Sequence, residues 1–502
     1  MTLEFTDTGL GPGRKYIMKL RDLLKDIEIL DSTADLELDI TGVAYDSRKV
    51  TPGSLFVAIT GFASDGNRFI PMALEKGAAA VVTARKPEGA VPYILVKSDR
   101  LALALIGTNF FGHPAESMTM VGVTGTNGKT SSTLILKQVI EKTLGAKVGL
   151  IGTMENLIGD EVLPTDRTTP ESFELQALFA RMRDEGCKFV VMEVSSHAVT
   201  LERIGGIHFD VAAFTNLTED HLDFHKTMDA YCEAKCELFH RCDRAVINAD
   251  DPYAPRFLEA AKTCQVLTTS VAGKGNLNAS DLDLHAEGIR FTADCGGESV
   301  SVALPIPGKF TVYNALTVLG IAKQLGISLA DSAEALKTVQ GVKGRVEVVP
   351  TPDMPYSVLI DYAHTPDGLL NVVSSVKQFC KGRVITVFGC GGDRDPIKRP
   401  IMGEIGVKNS DFSVITSDNP RTEEPAAIIR DILKGVNPEM GAYVVVEDRR
   451  QAIRYAMDIA EKDDIIILAG KGHETYQEIC GVKHHLDERE EVAAHLQELR
   501  KP

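Results

Sequence analysis

Three α/β domains are the architecture this 502-residue sequence predicts, and three observations carry it. Short apolar runs alternate with helical stretches of ten or more residues along most of the chain, the pattern of sheets covered by helices. A glycine-rich turn at 122–131 joins an apolar strand to a helix. A chain of this length exceeds what one hydrophobic core holds, so it divides. The expected parts are a small N-terminal α/β domain over 1–115, a central P-loop-type parallel-sheet domain over 116–342 and a C-terminal Rossmann-like domain over 343–502. Residues 1–17 are expected as a disordered extension ahead of the fold.

The N-terminal stretch MTLEFTDTGLGPGRKY is polar and glycine-rich and lacks the apolar centre of a signal peptide. Folded structure is expected from about Met18. Strand-like runs at 43–48 and 54–59 precede the helical PMALEKGAAA and the run Ala80-Val81-Val82. Phe110-Phe111-Gly112-His113-Pro114 closes a helical stretch with Gly and Pro and marks a boundary. The central part opens on a strand at 118–123 and continues with apolar runs at 189–192, 211–214 and 245–247. A polar insert at 273–294 predicts extra antiparallel strands. From Gly344-Arg345 onward, runs at 356–360, 384–388, 412–415, 443–446 and 465–468 predict the second open α/β sheet.

Composition narrows the function. Apolar residues make up 44% and charged residues 25%, ordinary for a soluble globular protein. No run of eighteen apolar residues occurs, so no membrane helix is expected. A net charge of −16 argues against nucleic acid and anionic membranes as partners. It leaves anionic small substrates open, because a local cluster of Lys, Arg and backbone N–H groups overrides the global field. Nine cysteines without a paired framework suit a reducing compartment, so a cytoplasmic protein is expected. Cys232, Cys236 and His240, with Cys242 nearby, repeat at helical spacing. One helix rarely closes a tetrahedral zinc shell, so buried thiols are the preferred reading.

The strongest local signal is Gly122-Val123-Thr124-Gly125-Thr126-Asn127-Gly128-Lys129-Thr130-Ser131. Glycines let backbone wrap phosphate oxygens while helix N-terminal N–H groups point at the anion. Lys129 reaches the outer phosphates in such loops, and the Thr130 hydroxyl suits Mg²⁺. Five residues separate Gly122 from Gly128, where the usual phosphate-loop spacing has four.

The form TGTNGKT resembles that of the Mur ligases and their folate-polyglutamate relatives. Further matches follow in order: Glu193-Val194-Ser195-Ser196-His197, Asn216-Leu217-Thr218-Glu219-Asp220-His221-Leu222-Asp223, Ala234-Lys235, Tyr313-Asn314-Ala315-Leu316, Gly344-Arg345 and Asp361-Tyr362-Ala363-His364-Thr365-Pro366. Gly391-Gly392-Asp393-Arg394-Asp395, Asp418-Asn419-Pro420-Arg421 and Gly470-Lys471-Gly472-His473-Glu474 complete the series. The resemblance implies an ATP-dependent, ADP-forming acid–amino-acid ligase of peptidoglycan precursor synthesis, and through it of cell shape and division. A monomer acting on small molecules is expected.

The same resemblance implies an ATP site at Gly125, Thr126, Asn127, Gly128, Lys129, Thr130, Ser131, Asn314, Arg345 and Asp361. It implies Mg²⁺ held at Thr130, Glu193, His221 and Lys235, with Lys129, His221 and Lys235 catalytic. Lys235 is expected as a carbamate formed with CO₂, which turns a cation into an anion that a magnesium ion attracts. Glu193, at the carboxyl end of an apolar strand, lies where open sheets place ligands, and oxygen donors suit magnesium. Ser47, Thr168, Thr169, Ser195 and Arg203 match positions for UDP-N-acetylmuramoyl-L-alanyl-D-glutamate. Leu201 departs from relatives that carry Gln there.

For the incoming amino acid the resemblance implies Arg394, Asp418, Asn419, Arg421, Gly470 and Glu474. The Asp418–Arg421 motif is similar to that of members adding meso-2,6-diaminopimelate, whose second carboxylate an arginine fork can pair. Glu474 is the expected partner of the distal ammonium. An L-lysine-adding or folylpolyglutamate-type ligase is the nearest alternative, with Arg421 as discriminator.

Overall fold

A computed structural model describes residues 17–61, 65–165, 167–437 and 439–499. The expected extension at 1–17 falls, but for Ile17, outside the described residues. The chain divides into two compact units: Met1–Ser270 with Lys274–Asn276 and Thr317–Ser328, and Val271–Gly273 with Leu277–Leu316 and Leu329–Pro502.

The first unit contains two large sheets and a short antiparallel pair, Met18–Lys19 with Asp39–Ile40. The N-terminal sheet runs in the order Ile29–Ser32, Tyr93–Val96, Ala80–Thr83, Ser54–Val57, Gly42–Ala44, parallel except at the first pair. Its middle strands are buried on both faces, which is why they read as unbroken apolar runs rather than alternating ones. Helix Asp99–Phe110 starts at Ser98, whose hydroxyl accepts from the Leu101 N–H, and packs Leu103, Ile106 and Phe110 into the core. The helix expected in PMALEKGAAA is shorter, Ile70–Glu75, because Gly77 leaves it in the left-handed region at φ 90°.

The central sheet sets the site. Six parallel strands run in the order Val148–Ile151, Phe189–Glu193, Thr119–Thr124, Phe209–Phe214, Cys242–Asn248, Gln265–Ser270. Antiparallel Asn156–Ile158 and Glu161–Leu163 extend one edge. The first strand in sequence, Thr119–Thr124, lies in the interior, and the chain winds away from it in both directions. Its carboxyl end is therefore the topological switch point, the crevice where such sheets bind ligands. The following helix begins at Lys129 rather than near Ser132, because Gly128 at φ 87° turns the chain directly into it.

In the second unit the polar insert forms antiparallel strands Leu277–His285, Gly288–Cys295 and Glu298–Leu304, reaching beyond the expected end. The C-terminal sheet has five parallel strands in the order Ser357–Asp361, Ile465–Ala469, Val384–Phe388, Phe412–Ile415, Ala442–Val445, with antiparallel Glu347–Val349 at its edge. Insertion of the last parallel strand between the first two brings the 470–474 loop beside the loops at 389–395 and 416–421. A hairpin, Tyr476–Ile479 with Val482–His485, follows. Among the described residues no helix is long and apolar enough to cross a membrane.

Candidate active site

The glycine-rich loop occupies the switch point. Gly125 has φ 146°, and a Cβ there would lie 2.0 Å from the Thr215 hydroxyl oxygen, so only glycine fits. The neighbouring strand's loop clasps it: the Thr126 N–H donates to the Asn216 carbonyl at 2.8 Å and the Asn127 N–H to Asn216 Oδ1 at 3.0 Å. The Thr215 hydroxyl and Asn216 Nδ2 both donate to the Asn127 carbonyl. Lys129 Nζ donates to the carbonyls of Gly125 and Thr126, each at 2.9 Å. Thr130 and Ser131 occupy the first helical turn, half-buried.

Glu193 ends the adjacent strand, in register with Val123 and 1% exposed. Its carboxylate accepts from Thr153 twice, from the N–H at 2.8 Å and the hydroxyl at 3.0 Å. Both donors are neutral, so a buried negative charge meets no protein cation through these bonds, and a divalent cation at this strand end would answer it. The Thr130 hydroxyl, the Glu193 carboxylate and the His221 imidazole are donors that fit magnesium. No cluster of three His, Cys, Asp or Glu side chains forms a metal cage among the described residues. Magnesium keeps waters and takes phosphate oxygens, so it needs none.

His221 is half-exposed, follows the next strand and adopts φ 54°; its ring stands edge-on to His197 at 5.0 Å. Lys235, in helix Met228–Cys236, is 1% exposed and donates from Nζ to the Gly125 carbonyl at 2.8 Å. Burial, and then the charge of Lys129, hold its ammonium well below the usual lysine range. The Cys232 and Cys236 sulfurs lie 4.0 Å apart in the core, while His240 is exposed in the 3₁₀ turn Glu237–Arg241. The buried-thiol reading describes them.

The substrate residues of this unit converge on the same strand end. The Thr168 hydroxyl donates to Thr153 Oγ1 at 3.0 Å, and the Thr169 hydroxyl donates to the Glu193 carbonyl at 2.9 Å. Ser195 caps the helix Ser196–Thr200, accepting from the Ala198 N–H. Arg203 donates to the Thr169 carbonyl at 3.1 Å and to Glu171 at 3.3 Å. Arg100 and Arg167 each reach the same nearly buried Glu171 carboxylate at 3.5 Å. Three guanidinium groups around one carboxylate leave net positive charge for an anion. Ser47 is buried in the N-terminal sheet region, its hydroxyl against Met72 Sδ. Nearby Tyr45 donates a short hydrogen bond to Glu174, on the helix that follows Thr168 and Thr169.

In the second unit, Asn314 is buried on helix Lys309–Gln324, and exposed Arg345 lies over the Tyr362 ring at 5.3 Å. Both Asp361 oxygens are engaged by backbone N–H groups, those of Val346 and Ala363. The carboxylate therefore fixes the segment beside Arg345. Arg394 and Arg421 flank Gly391: a Cβ there would lie 3.0 Å from Arg421 Nη1 and 3.8 Å from Arg394 Cγ. A Cβ on Gly470 would lie 2.6 Å from Asp418 Oδ2. Glu474 Oε2 accepts from Asn419 Nδ2 at 2.8 Å and from fully buried Lys471 at 3.1 Å. Buried Arg449 pairs with Glu488 and stands 3.8 Å from Asp418.

A profile of the Mur ligase middle domain matches residues 123–322, one of the Mur ligase glutamate ligase domain matches 344–472, and one of the Mur ligase family catalytic domain matches 39–109. The chain belongs to the Mur ligase family. A curated Mur ligase of Caldanaerobacter subterraneus subsp. tengcongensis, named UDP-N-acetylmuramoyl-L-alanyl-D-glutamate–2,6-diaminopimelate ligase, is 48% identical over 487 residues, spanning 96% of this chain and all of the relative. A Clostridium tetani protein of the same name is 45% identical over 488 residues with the same coverage. A solved structure of an enzyme bearing that name superposes with a TM-score of 0.76 at 31% identity, over 97% of this chain and 100% of the other. In this Mur ligase Thr153, Glu171 with Arg100 and Arg167, and the Tyr45–Glu174 contact escaped sequence reasoning. Their partners lie far apart in the chain and carry no local motif. Lys471 and Glu488 lacked any charge pattern pointing to their buried partners.

Proposed function

We propose that this Mur ligase joins meso-2,6-diaminopimelate to UDP-N-acetylmuramoyl-L-alanyl-D-glutamate, hydrolysing ATP to ADP and phosphate, in peptidoglycan precursor synthesis. One observation carries the ligase reading: the glycine-rich loop, the buried Glu193 carboxylate and Lys235 share the switch point with Thr168 and Thr169, so phosphate and acceptor sites abut. Arg421 and Arg394 on one loop cluster support a dicarboxylic amino acid. Nine cysteines without a paired framework suit a reducing compartment, and a cytoplasmic enzyme working as a monomer is part of this proposal.

In this reading a D-glutamate γ-carboxylate oxygen attacks the γ-phosphorus of ATP. The new O–P bond forms as the bond to ADP breaks, giving an acyl phosphate. The unprotonated amine of diaminopimelate then attacks the acyl carbon; the C–N bond forms, phosphate leaves and the amine proton passes to solvent. Gly125–Ser131 N–H groups and Lys129 bind the triphosphate, and His221 faces the charge that develops on the transferring group. Thr130, Glu193, His221 and the Lys235 carbamate would hold magnesium, which shields phosphate charge and orients the phosphoryl group. Thr168, Thr169, Ser195 and Arg203 orient the dipeptide, Ser47 its nucleotide end, while Asn314 and Arg345 serve the nucleotide and Asp361 orders the Arg345 segment. Asp418, Asn419, Gly470 and Glu474 line the amino-acid site.

Phosphate release with the UDP-dipeptide and ATP tests this, comparing meso-diaminopimelate with L-lysine. Turnover at least about 100-fold more efficient with diaminopimelate is expected from a charge-assisted fork (about 3 kcal/mol); equal or faster turnover with lysine overturns the assignment.

Lys235 is read as a carbamate because burial keeps its amine neutral, and a neutral amine can attack CO₂. The N–C bond forms, one proton leaves and an anion remains. Enzyme equilibrated with ¹³C-bicarbonate is expected to show one carbamate carbon resonance that Lys235→Ala lacks. The same resonance in the variant would remove Lys235 from this role.

A further inference from the structure

Two thiols that the proposed function does not use meet where the chain leaves the Lys235 helix. Helix Met228–Cys236 runs into the 3₁₀ turn Glu237–Arg241, and the turn into the strand Cys242–Asn248. Cys264 comes just before the neighbouring parallel strand Gln265–Ser270, whose Gln265 pairs with Arg244. Two adjacent strand starts therefore bring together cysteines 22 residues apart in sequence, with Sγ atoms at 3.6 Å. The Phe239 carbonyl, in the turn, lies within reach of both thiols, 3.7 Å from Cys242 Sγ and 3.4 Å from Cys264 Sγ. Cys264 Sγ also lies 3.1 Å from the Cys242 carbonyl.

The two sulfurs differ in access. Cys264 is partly exposed, whereas Cys242 is 8% exposed. Burial, and then Cys264 beside it, push the Cys242 thiol above the ordinary range. An oxidant arriving from solvent therefore meets Cys264 first, with Cys242 directly behind it. A disulfide needs its sulfurs about 2.05 Å apart, a short closing movement for this pair. The pair Cys232 and Cys236, at 4.0 Å, is unlike it. Both are buried on one helix, and positions four apart hold their Cβ atoms about 5–6 Å apart, beyond the roughly 3.5–4.5 Å that a disulfide spans.

We propose that Cys242 and Cys264 are a peroxide-oxidisable dithiol whose disulfide slows the enzyme. Hydrogen peroxide converts the Cys264 thiol to a sulfenic acid: an S–O bond forms, the O–O bond breaks and water leaves. The Cys242 sulfur then attacks the Cys264 sulfur. The S–S bond forms, the S–O bond breaks, and the departing oxygen carries off the Cys242 proton as a second water. A low-molecular-weight thiol reverses the change by exchange and is itself oxidised to its disulfide. Closure withdraws the S–H donors from the Phe239 carbonyl and draws the strand start onto the turn that anchors the Lys235 helix. The effect on turnover rests on the place given to Lys235 in the proposed function; the chemistry of the pair does not.

The test treats full-length enzyme with hydrogen peroxide, then pairs peptide mass spectrometry of the alkylated protein with phosphate-release assays. A peptide linked through Cys242 and Cys264 is expected, with two of the nine thiols lost. Turnover falls about fivefold, the scale of one lost hydrogen bond, and dithiothreitol restores it. Cys264→Ser forms no link, keeps its untreated turnover within about twofold of wild type, and resists peroxide. Cys264→Ala, which also lacks the sulfur, behaves in the same way. Absence of the linked peptide overturns the inference. So does a linked peptide with unchanged turnover, or an equal loss of turnover in both Cys264 variants. No phosphate release from untreated wild-type enzyme sinks the functional reading instead, while the linked peptide still decides the pairing.

Discussion

Lys129→Ala is expected to lower ATP-dependent phosphate release about 10³-fold, or about 4 kcal/mol of transition-state stabilisation. Lys129 opens the helix at the switch point, and its ammonium folds over the loop carbonyls of Gly125 and Thr126. A triphosphate seated on the loop N–H groups brings its outer oxygens to this ammonium, and the charge it meets grows as the γ-phosphoryl group departs. The hydrogen bonds to Gly125 and Thr126 are internal to a loop already pinned by Thr215 and Asn216, so the fold should survive, with a thermal midpoint close to that of wild type. Single-turnover phosphate release beside a melting curve checks both parts. Unchanged release with an intact fold would remove the phosphate-loop assignment.

Arg421→Ala should be the second large effect, a loss of about 10²–10³-fold in kcat/KM for meso-diaminopimelate, about 3–4 kcal/mol. A guanidinium with one edge committed to the Gly392 carbonyl and the other turned to a partly exposed site is prepared for a bidentate carboxylate. Its removal leaves Glu478 beside the site without a cation, so L-lysine, whose distal ammonium answers that charge, should gain. Steady-state kinetics with both amino acids reads the two changes at once. A loss shared equally by both acceptors would show that Arg421 holds the loop rather than the substrate. Arg421→Lys, with the charge but not the fork, should fall between.

Local chemistry was legible in the sequence and distant pairing was not. The strand, glycine turn and Gly128-Lys129-Thr130 advertise a phosphate loop because all of their physics lies within ten residues of chain. Glu193 could be placed at a strand end by the apolar run before it. Lys235 is singled out by the resemblance and by no local signal of its own; what makes it unusual is the Gly125 carbonyl, 110 residues away in sequence, together with the burial that lowers its basicity. Tyr45 and Glu174 are separated by 129 residues, and neither belongs to a recognisable pattern. The His240 spacing was legible but misleading, since the helix ends at Cys236 and the tighter turn after it swings the imidazole into solvent. The polar insert was read as antiparallel strands correctly in kind and too short in extent: its third strand, Glu298–Leu304, lies beyond the expected end although its polar–apolar alternation is itself a strand pattern.

The bond between Tyr45 and Glu174 has a consequence for counting. It fastens the element carrying Ser47 to the helix that leads out of Thr168 and Thr169, so under the proposed assignments the span between nucleotide end and reacting carboxylate is a gauge set by the fold. One added residue lengthens an extended peptide by about 3.5 Å, enough to carry a terminal carboxylate past the phosphoryl group it must reach. Under the proposed function, a donor that has already received its amino acid would overrun that gauge, which would hold the enzyme to a single addition.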